Sequence, residues 1–586
     1  MDFQSKFTKP LNSLFIFKKV LNIAALLVLL AIIAGAIAYR LNTYDAVKQW
    51  YLALNGCFYR HEFWADKFFT AEVKHKGNQL ALMGIGFSAV LVVAVLANWL
   101  KSNKNPPVNN EDVANDTNAA SPGFWWHIAV IALGLVLGAW SWYAMAPAYD
   151  EIFSAVNCAA LPPFQTLAYY MLPNNHIYFN FLNNILFSWW HDGVQTGRLI
   201  SFTAYIFMLL CAYSWLFRYI NNRLFAFFAL IPIAMQFTVW AMAAQARGYE
   251  GQLCCLWIAF SAMLQYLEKE DNYKLKVNSF FNVLGFLLVP AYLSCYVAQV
   301  IIFIAVIAYN RRFQFRYFWY QFITVSVVFL GYLPAFCFSG IPAFTENGYV
   351  KPIYDTWLKY LPDFADTLKY FINFCFSSLC GEDRAINFVL FFLPLILFFS
   401  RRKERRLVAF CFTILWLTYI IITLNMRRNP NNRNMIMHYS VTLGCVLIAL
   451  YALMEKAAQL IKPQKLKRAF MYVFFVIPVL AFCGHLYVSN KRDVSFFLYY
   501  NDVNDIYNNH IKTLTIIPKG RTIGFSYETF YLYYHFTRNH YRTVQCADGT
   551  EDYYIKRKDE NLPKGKENDY IHIADGHQDY DFYKRK

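Results

Sequence analysis

Apolar runs of about 17–22 residues, each long enough to cross a bilayer as a helix, recur along most of the chain between short polar loops. They predict spans near 18–39, 80–100, 124–146, 199–217, 224–242, 252–267, 279–296, 298–310, 317–338, 386–400, 406–425, 439–455 and 468–488, about thirteen in all. Pro290 marks a kink inside the pair at 279–310. After 488 the pattern changes. Short runs at 513–517, 522–525, 541–544 and 570–573 read as strands, and Glu528 to Thr537 reads as an aromatic-rich helix. The expected fold class is a polytopic α-helical membrane protein with a small C-terminal α/β domain. Its units are two leading helices with a linker (1–123), a membrane domain (124–488) and the C-terminal domain (489–586).

The charge pattern orients the spans. The chain carries a net charge of +17, which taken alone suggests nucleic acid. The cations instead sit in alternate short loops: Lys101 and Lys104; Arg218 and Arg223; Lys269, Lys274 and Lys276; Arg311, Arg312 and Arg316; Arg401 to Arg406; Lys456 to Arg468. That bias sets topology, so no nucleic-acid partner is expected. With a cytoplasmic N-terminus, segments 40–79, 147–198, 339–385 and everything after about 489 lie outside, and 101–123 is a disordered cytoplasmic linker. The basic start and the run Val20 to Ala38 resemble a signal peptide, but the topology favours an uncleaved first span. At 58% hydrophobic and 19% aromatic residues, no soluble class fits. Most of the thirteen cysteines lie in apolar runs and read as small core residues. Cys375 and Cys380, in an outer segment, are near enough in sequence to pair.

Candidate chemistry concentrates on the outer side. Asp150-Glu151 follows the apolar run Phe124 to Met145. A charge costs roughly 2.5–3.5 kcal/mol at the centre of a membrane helix, so ionisable groups at its margin are functional candidates. Further on come Pro173-Asn174-Asn175-His176-Ile177-Tyr178, Trp189-Trp190-His191-Asp192, Gly197-Arg198-Leu199-Ile200-Ser201, Gln245-Ala246-Arg247-Gly248-Tyr249 and Pro430-Asn431-Asn432-Arg433-Asn434.

In order and placement, over about 124–455, these motifs resemble the GT-C superfamily of integral-membrane glycosyltransferases. The branch most similar is that of the dolichyl-phosphate-mannose–protein mannosyltransferases and bacterial aminoarabinose transferases. Ile177 and Ile200 stand where that branch carries Pro, and two spans precede the usual first one. The resemblance implies transfer of a sugar from a polyprenyl-phosphate donor to a hydroxyl of a protein, lipid or glycan, on the extracytoplasmic face of a bacterial inner membrane.

Asp150 and Glu151 are then the expected catalytic carboxylates, Arg247 and Arg433 the donor-phosphate ligands, and His176, Asp192 and Tyr249 substrate contacts. Phosphate departs without a general acid, so one carboxylate accepting the acceptor's proton suffices, and fixed guanidiniums stabilise the leaving group. The plainer readings are a helix-ending carboxylate and arginines that snorkel to lipid phosphates. No cofactor is expected; Asp150, Glu151, His176 and Asp192 supply donors suited to a divalent cation, but at loose spacing. Besides donor and acceptor, the expected partners are membrane lipids. A lipid-linked glycan flippase and a non-catalytic scaffold of the same fold are the rival readings.

Overall fold

The computed structural model describes residues 10–53, 68–104, 123–145, 147–170, 175–311, 313–347, 350–380, 383–497, 517–526, 529–544, 549–575 and 580–586. The expected linker at 101–123 and strand at 513–517 fall almost wholly outside them.

Among the described residues nine helices are long and apolar enough to cross a membrane. They are Lys19–Leu41, Ala71–Leu100, Phe124–Ala144, Gly193–Ile220, Pro290–Asn310, Phe315–Phe338, Lys403–Met426, Arg433–Ala458 and Gln464–Lys491. The other four expected spans are also helical, at Arg223–Met235, Tyr249–Lys269, Asn272–Leu288 and Arg384–Phe399, but are shorter or more polar.

Protein neighbours replace lipid around the polar ones. Asn278 Nδ2 donates to Gln299 Oε1 at 2.7 Å, Gln299 Nε2 to Asn282 Oδ1 at 2.9 Å, and Tyr292 Oη to Asn282 Oδ1 at 2.9 Å. Side-chain amides paired across helices hold Asn272–Leu288 to its neighbours. Pro290 opens a new helix rather than kinking one, so the first member of that pair ends at Leu288. The helix at 223 likewise stops at Met235, and a short helix, Phe237–Met242, follows a break at Gln236.

Successive spans alternate in direction, which collects the basic loops at one end of the bundle. There Arg405 donates to the Tyr219 carbonyl at 3.0 and 3.2 Å and to Glu455 at 2.8 Å, and Arg218 pairs with Glu268. The acid pair, His176, Arg247 and Arg433 lie at the other end. The two leading helices pack on each other and on Phe315–Phe338, where Tyr39 Oη donates to the Cys337 carbonyl at 2.8 Å.

At the acidic end the segment 339–385 holds an amphipathic helix, Trp357–Cys380, that the apolar pattern did not reveal. Tyr360 on it donates to Asn429 at 2.7 Å, and Asn429 donates to Asp363 at 2.8 Å. Cys375 is a buried free thiol facing the Tyr439 carbonyl, which corrects the suggested pairing with Cys380.

The C-terminal domain is a five-stranded sheet in the order β2-β1-β3-β5-β4: β1 Thr522–Phe525, β2 Arg542–Val544, β3 Tyr553–Arg557, β4 Tyr570–Asp575 and β5 Tyr580–Arg585. β1 runs parallel to β2 and β3; β5 is antiparallel to β3 and β4. The helix Phe530–Arg538 covers it, with Leu532 and Phe536 packed against Ile523, Phe525 and Ile555. β3 and β5 escaped the sequence pattern because their polar and aromatic residues mix on both faces.

Candidate functional site

A six-residue helix, Tyr149–Ser154, organises the site. Each residue advances about 100° around a helix, so three consecutive side chains point in three directions. Tyr149 and Phe153, four apart, pack their rings against Phe530 of the C-terminal domain at 4.8 and 5.3 Å between centroids. Asp150 points to Arg433, with which it forms an ion pair. Glu151 points inward.

Glu151 is fully buried and both its oxygens are occupied. Oε1 accepts from Arg198 Nε at 3.1 Å and the Ala246 N–H at 2.5 Å; Oε2 accepts from Arg198 Nη2 at 3.0 Å and the Ala148 N–H at 2.6 Å. A two-toothed Arg–carboxylate pair with backbone donors added satisfies a buried charge. The expected catalytic role for Glu151 therefore gives way to a structural one: it ties the acid-pair helix to the strap that presents Arg247.

Arg247 is also buried. Its Nη1 donates to Ser154 Oγ at 2.9 Å and to the Asp150 carbonyl at 3.3 Å, and its Nη2 lies 3.2 Å from His176 Nε2. The Gly248 N–H donates to His176 Nδ1 at 2.9 Å. Only glycine permits that approach: a Cβ at position 248 would stand 2.9 Å from the Leu288 carbonyl oxygen and 3.0 Å from Nδ1.

Burial first, then the Arg247 and Arg433 guanidiniums, hold the His176 imidazole well below its ordinary pKa. The ring is neutral at physiological pH, and Nδ1 is an acceptor, so the proton sits on Nε2. Two N–H donors, Nη2 of Arg247 and Nε2 of His176, thus face each other. An acceptor placed against both nitrogens would receive a hydrogen bond from each.

These groups border a cavity of ≈ 470 Å³, lined by His176, Arg247, Tyr249, Arg433, Asn434 and His438 among others. Tyr249 sets its ring against His176 at 4.8 Å. Asp150 reaches the cavity through Arg433 and is not itself part of the wall. Of the expected residues, Asp150, His176, Arg247, Tyr249 and Arg433 come together.

Asp192 does not. It caps the helix Gly193–Ile220, accepting from the Val194 and Gln195 N–H groups, each at 3.1 Å, and from Tyr534 Oη at 3.3 Å. That corrects its expected substrate contact, because an N-cap carboxylate bound to a docked domain is turned away from the cavity. Among the described residues no group of three or more His, Cys, Asp or Glu side chains is placed to hold a metal. Ser154 and Gly248 matter to the site without having been singled out for it. Ser154 carried a signal, standing four residues after Asp150 on the same helix face.

No family model and no curated protein matches the sequence. Among solved structures the chain resembles the crystal structure of ArnT from Cupriavidus metallidurans bound to undecaprenyl phosphate. The two are 10% identical, the match covers 78% of this chain and 98% of that one, and the TM-score is 0.50. The protein thus shares the fold of ArnT, built on a different sequence.

Proposed function

We propose that this chain is a glycosyltransferase that moves a sugar from a polyprenyl-phosphate donor to an acceptor hydroxyl, at the extracytoplasmic face of the membrane. The observation that carries the proposal is the facing pair of N–H donors on Arg247 and neutral His176, with the Arg433 cation on the same wall. A phosphate oxygen is able to accept from both donors, and its negative charge suits the two guanidiniums beside it. The fold shared with ArnT, solved with undecaprenyl phosphate bound, supports a polyprenyl carrier. The cavity volume suits a phosphosugar head group.

In the proposed reaction the acceptor oxygen attacks the anomeric carbon as the bond from that carbon to the phosphate oxygen breaks. The carrier leaves as polyprenyl phosphate, held by Arg247, Arg433 and His176 Nε2–H. The acceptor's proton passes to the Asp150 carboxylate, and in-line attack inverts the anomeric centre. Arg433 pairs with Asp150; the arriving phosphate competes for that guanidinium and frees the carboxylate to act as base. Glu151 and Arg198 keep the helix and the Arg247 strap in register.

The test is a pair of variants in purified full-length protein and in cells. Arg247→Ala is expected to lose retention of undecaprenyl phosphate. Asp150→Asn is expected to retain the lipid while the cell's surface glycans lose one sugar by mass spectrometry. Glycans unchanged by Asp150→Asn would refute the transferase reading and leave a flippase or a scaffold standing.

A further inference from the structure

Deeper in the same cavity lies a group that phosphate binding leaves unused. His438 is buried on Ile436–Ala458, lines the cavity, and neither ring nitrogen has a hydrogen-bond partner among the described residues. Its ring sits between Trp416 and Tyr419, at 5.6 and 5.2 Å between centroids. Its polar neighbours are already satisfied: Trp416 Nε1 donates to Thr442 Oγ1 at 2.9 Å, and Tyr419 bonds Thr423. A buried donor or acceptor without a partner is unfavourable, and phenylalanine would fill the same space without that cost. The position is five residues beyond Arg433, across the 3-10 turn Asn432–Met435 and the start of Ile436–Ala458, about 8–9 Å at the rises of the two helices. That is roughly the reach of one sugar ring from a phosphate held at Arg433.

Resting on the donor reading above, we infer that His438 reads the donor sugar, hydrogen-bonding a hydroxyl or amino substituent on the side of the ring away from the phosphate. An isoprenoid tail has nothing to offer an imidazole, so the deep end of the cavity receives the sugar and not the lipid. A site built to hydrogen-bond such a substituent discriminates strongly against a ligand lacking it, because its own polar group is left unpaired.

The test uses full-length protein in detergent and equilibrium binding of four probes: undecaprenyl phosphate, and undecaprenyl phosphate carrying mannose, arabinose or galactose. Wild type is expected to retain at least one sugar-bearing probe more tightly than bare carrier. His438→Phe, which keeps an aromatic ring in place, is expected to weaken that probe about tenfold while bare carrier binding stays within about twofold. Equal weakening of all probes, or of none, overturns the inference, as does a wild type that binds bare carrier as well as every sugar-bearing probe. A wild type that binds no probe rejects the donor reading itself, and this inference with it.

Discussion

Adjacent carboxylates at 150 and 151 are one residue apart and opposite in fate. Asp150 meets a cavity-lining cation, whereas Glu151 sits in a closed set of four hydrogen bonds. Their variants should differ accordingly. Arg198→Ala strands Glu151 as a buried unpaired charge and is expected to cost roughly 3–5 kcal/mol, measured as a lowered melting temperature of the purified protein. Asp150→Asn is expected to melt near wild type while sugar transfer drops by about 10²-fold or more. Titration adds a third test. The fold depresses His176 below the ordinary value of 6.5, so under that pH the unfolded chain binds a proton that the native protein refuses. Stability is full above pH 6.5 and falls as pH falls. His535, depressed to about 3 by burial and Arg538, acts in the same sense. Between about pH 7.5 and 5, His176→Asn should flatten the decline of the melting temperature relative to wild type; an unchanged slope would contradict a neutral buried ring.

Among the elements, the long apolar spans were legible and the short polar ones less so. Hydropathy located 272–310 as two helices but misplaced their boundary, because Asn278 and Asn282 look like a helix end until Gln299 and Tyr292 are seen to satisfy them. The helix Trp357–Cys380 was missed because its charged face masks it as a loop. In the site, His176 and Arg247 were recognisable from local motifs. The partner of Glu151 was not, since Arg198 lies 47 residues away and only folding joins them. Glu250, at the start of Tyr249–Lys269, is buried with neither oxygen hydrogen-bonded among the described residues. Glu250→Met removes that unpaired polar group and is expected to raise the melting temperature; a decrease would mean that the carboxyl has a partner the fold requires.

At the scale of the whole molecule, the site and the basic loops occupy opposite ends of the bundle. The charge bias predicts that the cavity faces away from the cytoplasm. Single cysteines at exposed Lys359, near the cavity end, and exposed Lys403, at the basic end, read this directly. The assay uses a background in which Cys57, Cys380 and Cys546 are replaced by serine; the other ten cysteines are buried apart from half-buried Cys211. A membrane-impermeant maleimide should label the cysteine at 359 in intact cells and the one at 403 only after lysis. The C-terminal domain touches the back of the acid-pair helix through Phe530 and meets Asp192 through Tyr534.

The most direct measurement is a cryo-EM map of the full-length protein saturated with undecaprenyl phosphate. If the guanidiniums and the neutral imidazole form the leaving-group clamp, phosphate density will lie within hydrogen-bonding distance of Arg247, Arg433 and His176 Nε2, beside the Asp150 carboxylate. Lipid density whose head group sits elsewhere, with Arg433 still paired to Asp150 and Arg247 to Ser154, would contradict it.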